Sequence, residues 1–275
     1  MPELPEVETI RRALAPRLEG RTFVDVRVAR PDILMGPRSV AEFSELLVGR
    51  QVRALERRGK RLVFRLDAGV LVAQLRMTGR FCLGDGPAPP VEEFRHVAAR
   101  FRFDDGSTLF YDDVRRLGGF RRFSGPDWEA ESARLGPEPL APGFRATDLA
   151  AALGRGRAPV KSALLDQGRI AGVGNIYACE ALFGARLAPH RPVDTLTAED
   201  FRRLHRALRD VLRRAVDAAG TTLRDYRAVN GRSGRFASRL RVYGRAGAPC
   251  RRCGAAIERT VLAGRGTFSC PACQA

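Results

Sequence analysis

Midway along this 275-residue chain the hydrophobic period shifts from strand-like to helical, and that shift limits what it can fold into. Between about residues 22 and 123 the apolar residues come in short runs rich in β-branched and aromatic types. Thr22–Ala29, Arg61–Leu66, Val70–Leu75, Val97–Phe103 and Ser107–Tyr111 read as strands. Asp67-Ala68-Gly69 and Asp105-Gly106 read as the hairpin turns between them. A stretch dense in proline and glycine, Leu135–Gly143, follows as a linker. Beyond it, apolar residues recur at helical spacing. An α+β chain is expected: an N-terminal antiparallel β-sandwich or barrel, then a helical domain. The expected divisions are 1–135, a linker at 136–150, 151–240 and a tail at 241–275.

Helix signals bracket the strands. Val7, Ile10, Leu14 and Leu18 share one helical face over residues 2–18, with Pro2 and Pro5 suiting a start and Pro16 expected to kink or end it. Lys161–Gln167 and Asn175–Phe183 read as short helices, the second entered through Gly172-Val173-Gly174. Residues 198–219 form a long helix. Phe201, Leu204, Leu208, Leu212 and Ala215 make its apolar stripe, Thr197 with Asp200 its cap, and Gly220 its stop. Residues 221–239 are polar and rich in Arg and Gly, and read as a mobile loop.

The tail carries Cys250-x-x-Cys253 and Cys270-x-x-Cys273 with sixteen residues between the pairs. Each pair can place two thiolates on one ion. Four Cys ligands close a zinc tetrahedron and leave no position for water, so the metal is expected to fold the tail and not to catalyse. Cys82 and Cys179 read as ordinary buried thiols. Residues 257–262 and 267–269 can pair as a hairpin with Ala263-Gly264-Arg265-Gly266 at its tip. Arg265 there suits a phosphate as well as it suits plain solvent.

Charge narrows the partner. Lys plus Arg number 48 against 31 acids, a net charge of +17. A polyanion is the natural partner, nucleic acid before acidic membrane. No apolar run of membrane-spanning length occurs, and a basic amphipathic helix with exposed aromatics is missing, which disfavours a membrane-surface protein. The N-terminus lacks the pattern of a signal peptide, so a cytoplasmic protein is expected. No dinucleotide fingerprint or P-loop is present, and no organic cofactor is expected. Only Lys60 and Lys161 are lysines among the 48 basic residues. Under so strong an arginine bias, either lysine can mark a site that needs a flexible, deprotonatable point charge, or chance.

Met1-Pro2-Glu3 has chemical content. Removal of the initiator methionine would leave a secondary amine, with an ordinary terminal pKa of about 8. Such an amine attacks carbonyl-like carbons and yields an iminium that stays charged without a proton. Glu3 beside it can move protons. Alone, a Met-Pro start carries no functional meaning.

The run Pro2-Glu3-Leu4-Pro5-Glu6-Val7-Glu8-Thr9 resembles the start of the formamidopyrimidine-DNA glycosylase family, bacterial enzymes that excise oxidised purines. The resemblance continues through Arg57-Arg58-Gly59-Lys60, Met77-Thr78-Gly79 and Leu135-Gly136-Pro137-Glu138-Pro139-Leu140. It goes on through Lys161–Gln167, Gly172–Ala178 and Val242-Tyr243-Gly244-Arg245, and ends in the four-Cys finger with Gly264-Arg265-Gly266-Thr267.

That resemblance implies an N-terminal antiparallel β-sandwich with flanking helices (1–135), a helix–two-turn–helix DNA-binding domain (151–240) and a zinc finger (241–275). Damaged double-stranded DNA would lie in a basic cleft between the halves of a monomer associated with the bacterial nucleoid. It implies roles as well. Pro2 attacks C1′, expels the base and forms a Schiff base, while Glu3 handles protons. Lys60 assists β-elimination and Arg265 serves δ-elimination, each gripping phosphate. Glu6 helps hold the site. His96, Arg155, Lys161 and Asn175 contact the DNA backbone, and Met77, Arg115 and Leu117 fill the gap left by the extruded nucleotide.

Two departures stand out. Where the family commonly reads Asp-Pro-Arg-Arg-Phe-Gly, this chain reads Asp113-Val114-Arg115-Arg116-Leu117-Gly118, so an aromatic wedge is replaced by Leu117. Gln74-Leu75-Arg76-Met77 replaces a common His-Leu-Gly-Met-like run, and Arg76 can add a phosphate contact. Met77 without this context reads as a strand-end core residue. The nearest rival reading is an endonuclease VIII-type glycosylase for oxidised pyrimidines. A different class is a non-catalytic zinc-finger DNA-binding protein, against which Pro2, Glu3, Lys60 and Arg265 all argue.

Overall fold

The computed structural model describes residues 2–36, 39–86, 88–90, 92–222, 229–231 and 233–274. They form two compact units: residues 1–133 with 218–235, and residues 134–217 with 236–275.

The first unit is a β-sandwich. One antiparallel sheet has the order β1 (Phe23–Val28), β6 (Val97–Phe103), β7 (Thr108–Asp112), β5 (Arg80–Gly84). The other runs β2 (Val52–Arg58), β3 (Arg61–Leu66), β4 (Val70–Gln74), β8 (Gly119–Phe123). Strand alternation fills the space between them: Leu62, Phe64 and Leu66 of β3 join Phe81, Phe101, Phe103 and Tyr111 in one core. The skipped residue Val63 packs outward with Val72, Phe123 and Trp128 of α3 (Gly125–Ala133). Helix α1 (Leu4–Leu18) buries Val7, Ile10, Leu14 and Leu18 in the main core. Pro16 lies inside its last turn, and the helix ends two residues later. A short helix α2 (Val40–Glu45) adds Phe43 to the same core.

Strands β2, β5 and β8, and helix α4 (Ala146–Leu153), were not expected from hydrophobic pattern. Arg53, Arg57 and Arg58 in β2, and the adjacent pair Arg121-Arg122 in β8, leave few apolar residues and mask the strand period. Helix α4 starts within the stretch read as linker.

The second unit packs α4, α5 (Val160–Leu165), α6 (Asn175–Ala185) and α7 (Ala198–Asp217), then a two-stranded hairpin of β9 (Glu258–Leu262) and β10 (Arg265–Ser269). Gln167 welds the α5–α6 turns: its Nε2 donates to the carbonyls of Leu165 and Val173, and its Oε1 accepts from the Gly172 N–H. Thr197 and Asp200 cap α7 reciprocally, at 2.9 and 3.2 Å. Gly220, at φ +81°, follows that helix as expected. No helix among the described residues is long and apolar enough to cross a membrane.

The described parts of the segment read as a mobile loop are anchored. The Arg235 N–H donates to the Ala218 carbonyl, Gly234 to the Thr222 hydroxyl, and Val229 packs on the sandwich core. Arg224, Asp225 and Tyr226 lie outside the described residues.

Candidate functional site

The candidate site residues of the first unit start at the head of α1. Pro2 and Glu3 are buried and precede its first turn. Glu6, 1% exposed, accepts the Glu3 N–H at 2.8 Å on one carboxylate oxygen and the Thr221 N–H at 2.8 Å on the other. Both donors would otherwise be buried backbone groups in need of partners. One carboxylate therefore fixes the backbone next to Pro2 and ties it to the chain 215 residues on. The sequence placed Glu6 at the site, but gave no sign of Thr221 as its partner.

Lys60 sits in the two-residue turn between β2 and β3, whose last pair is Arg58 and Arg61. Gly59 takes φ +59° and Lys60 is not among the residues at positive φ, the pattern of a tight hairpin with glycine at its first position. Arg57, 3.4 Å from Glu8 of α1, ties this hairpin to the helix that carries Pro2.

Met77, Arg115 and Leu117 lie on two connections, 75–79 between β4 and β5 and 113–118 between β7 and β8. Asp113, 1% exposed, joins them. Its Oδ1 accepts from the Thr78 hydroxyl and the Arg115 N–H, and its Oδ2 accepts from the Tyr111 hydroxyl (3.1 Å) and the Gly118 N–H (2.9 Å). Burial first, then the charge of Asp113, pushes the Tyr111 hydroxyl far above its ordinary range, so it remains a donor. Gly79 and Gly118 flank that hydroxyl, and a Cβ on either would stand 2.5 or 2.2 Å from it. The result is an exposed ridge: Met77 and Leu117 are 37% and 45% exposed, and the Arg115 guanidinium lies 3.2 Å from the Met77 sulfur. Met77 is thus on the surface, not in the core. Arg76, which departs from the family pattern, adopts φ +51° beside it. His96 is exposed. Its backbone N–H donates to Asp112, which also pairs with Arg80 at 2.9 Å.

In the second unit, Arg265 is exposed and is the first residue of β10, paired with Leu262. The turn proper is Ala263–Gly264, both at positive φ, as a two-residue hairpin of matching twist requires. Two side chains hold the next residue: Asn175 Nδ2 donates to the Gly266 carbonyl at 2.9 Å, and the Lys161 ammonium reaches that carbonyl at 3.4 Å and the Thr267 hydroxyl at 2.7 Å. Lys161 is fully buried. The resemblance implies a contact to the DNA backbone for it; its ammonium lies under the hairpin, where it and Asn175 hold the residues that follow Arg265. Arg155 is exposed in the connection after α4.

The four tail cysteines converge. Their Sγ atoms all lie within 4.8 Å of one another, and Cys253 and Cys270 approach to 3.5 Å. Thiolates about 2.3 Å from a zinc ion in a tetrahedron are about 3.8 Å apart, so the set fits the ion. The Arg252 N–H points at the Cys250 sulfur at 3.4 Å. Gln274 accepts from the Cys270 N–H and donates to the Leu187 carbonyl, tying the second knuckle to the helices. This is a structural zinc site. Cys82 belongs to the first unit, and burial pushes its thiol up to about 11.

Comparison with known proteins matches three family descriptions in chain order. Residues 1–120 match the formamidopyrimidine-DNA glycosylase N-terminal domain, 135–227 its H2TH domain, and 247–275 a zinc finger found in FPG and IleRS. The chain is 45% identical to the formamidopyrimidine-DNA glycosylase of Geobacillus kaustophilus, over the full length of both. The chain belongs to the formamidopyrimidine-DNA glycosylase family. The Heliobacterium modesticaldum member is 46% identical, again over both full lengths. Among solved structures of the family, the MutM (FPG) protein of Thermus thermophilus superposes with TM-score 0.86 at 45% identity, covering 99% of this chain and 98% of that one. The Lactococcus lactis Fpg in complex with DNA containing an abasic site superposes with TM-score 0.89 at 33% identity, covering 99% of each chain. The family's three regions contain, in turn, Pro2 with the Met77–Arg115–Leu117 ridge, the Asn175 and Lys161 helices, and the four-cysteine hairpin.

Proposed function

We propose that this protein is a bifunctional DNA glycosylase and AP lyase that excises oxidised purines, 8-oxoguanine and formamidopyrimidines, from duplex DNA through a Schiff base on Pro2. It then cleaves the strand by β- and δ-elimination. Family membership supports the reaction. The observation that carries the assignment to this chain is the Glu6 carboxylate bridging the Glu3 and Thr221 N–H groups, because it immobilises the backbone that bears the nucleophile.

A stacked base hides its glycosidic bond, so the nucleotide must be extruded at a cost of a few kcal/mol. The Met77–Arg115–Leu117 ridge fills the gap. The Pro2 amine then attacks C1′ and the base departs with a proton supplied through Glu3. The resulting iminium withdraws electrons from the sugar. Loss of a C2′ proton expels the 3′ phosphate, assisted by Lys60, and a second elimination, served by Arg265, expels the 5′ phosphate. His96, Arg155 and Asn175 contribute to holding the DNA backbone, with Lys161 acting through the hairpin. Zinc takes no part in the chemistry. The enzyme works on chromosomal DNA in the bacterial cytoplasm.

Borohydride trapping on a duplex with 8-oxoguanine opposite cytosine tests this. A covalent protein–DNA adduct is expected, and blocking the Pro2 amine should abolish it. Tight binding without an adduct would overturn the reading. Leu117→Phe tests the wedge. Base–aromatic stacking contributes about 1–3 kcal/mol, so the variant should bind the lesion duplex roughly tenfold more tightly and discriminate differently among opposite bases. Equal affinities and equal discrimination would remove Leu117 from the wedge.

A further inference from the structure

The second unit has a strongly charged surface that the proposed chemistry leaves unused. A groove of about 410 Å³ between α6 and α7 is lined by Arg186, Arg203, Arg206, Arg214 and Arg241. A second, of about 680 Å³, is lined by Arg214, Arg241, Arg239, Arg251 and Arg252, with Phe183 and Ser238. Arg214 and Arg241 belong to both, so the grooves adjoin. Together they are lined by eight arginines and two acids, Glu180 and Asp210, while Asp200 and Glu199 beside them pair with Arg203 and Arg206. The Glu180 carboxylate is taken up by the backbone N–H groups of Arg241, Val242 and Tyr243 at 2.9–3.0 Å. Asp210 pairs with Arg214 at 2.7 Å. Arg252 is held in place by stacking 4.3 Å over the Phe183 ring.

Within the second unit, these grooves lie away from Asn175 and Arg265. Gly184 and Arg186 stand at the C-terminal end of α6, about 13 Å along the axis from Asn175 at its start. Arg251 and Arg252 lie in the first zinc knuckle, at the opposite end from Arg265, across strands about 17 Å long.

We infer that this arginine surface binds the phosphate backbone of a second duplex segment while the lesion-binding residues hold the first. Guanidinium forks match phosphate oxygens. A protein partner would want an apolar anchor. Among the described residues of this unit, the exposed large apolar side chain is Val261 on β9, which lines neither groove. The consequence is transfer of the enzyme between DNA segments without full release. The inference rests on the proposed action on DNA.

The test follows release of the enzyme from a labelled short lesion duplex as unlabelled duplex is added. Wild type is expected to leave faster as competitor concentration rises. The triple variant Arg206→Gln, Arg239→Gln, Arg252→Gln should leave at a rate independent of competitor, while excising from the short duplex as wild type does. Removal of three phosphate contacts should lower the salt slope of second-duplex binding by about 2.7. The matching lysine triple variant, which keeps the charge, should restore transfer. If the glutamine variant fails to fold, Arg206→Gln alone, at a side chain 73% exposed, gives a graded loss. A wild-type release rate that ignores competitor, or an unchanged rate in a well-folded variant, would overturn the inference. So would saturable binding of poly-glutamate at these residues with none of duplex DNA, which would point to an acidic protein. Loss of excision by wild type on the short duplex would instead indict the proposed function.

Discussion

Stripping zinc with a chelator, or replacing Cys270 by alanine, is expected to lower affinity for a lesion duplex by about tenfold to a hundredfold and to suppress δ-elimination. The reasoning starts from size. Residues 247–274 bury little of their own: Cys250, Ile257 and Cys270 form a small cluster with Cys179 and Phe183 of α6. A segment so short does not hold itself together without a metal, and structural zinc contributes about 10–16 kcal/mol in finger peptides. Loss of the ion therefore frees the hairpin that carries Arg265. A charge-assisted contact to phosphate is worth about 1.5–3 kcal/mol, which sets the expected loss of affinity. The damage also spreads inward, because the Lys161 ammonium loses the Gly266 carbonyl and Thr267 hydroxyl and is left buried. The first unit has its own core and should stay folded. At saturating protein the borohydride adduct on Pro2 should therefore still form. Zinc content, duplex affinity and the ratio of β- to δ-elimination products check this together. A zinc-free protein that binds and incises like the holoprotein would refute it.

What could be read from the sequence follows from range. The first helix, the β3–β4 and β6–β7 hairpins, the α7 cap and the zinc ligands rest on spacings of a few residues, or on one pair of spacings, and the structure places them as expected. Strands β2, β5 and β8 depend on partners far along the chain. Val52-Arg53-Ala54-Leu55-Glu56-Arg57-Arg58 has too few apolar residues to announce a strand, yet α1 and β3 cover its buried residues. Lys161 misleads for the same reason. Its neighbours Val160, Ala163 and Leu164 are apolar, and acceptors more than 100 residues away, the Gly266 carbonyl and the Thr267 hydroxyl, receive its buried ammonium. Thr221 likewise gains its role from Glu6, which no local pattern could reveal. The residues proposed to touch substrate lie in motifs; the residues that position them are mostly set by tertiary contacts.

Asp113→Ala is expected to cost about 3 kcal/mol of stability and to impair excision from duplex DNA far more than from a single strand. Truncation strands the Tyr111 hydroxyl and the Gly118 N–H, both buried, and each unsatisfied donor costs about 1–3 kcal/mol. The Thr78 hydroxyl and the Arg115 N–H lose the same acceptor, so the two connections are no longer joined. Repacking is restricted, since Gly79, Gly118 and the Leu75 carbonyl already crowd the Tyr111 hydroxyl. The ridge of Met77, Arg115 and Leu117 then loses its fixed height above the surface. The work proposed for it is to occupy the gap left by the extruded nucleotide, which exists only when a partner strand holds the stack open. Asp113→Asn, similar in shape but with one acceptor oxygen replaced by a donor, should fall between wild type and alanine. Excision rates on paired duplex and single-stranded substrates, with thermal melting of each variant, separate two explanations. A duplex-specific loss identifies Asp113 as the residue that positions the wedge. An equal loss on both substrates would mean that Asp113 does no more than stabilise the sandwich.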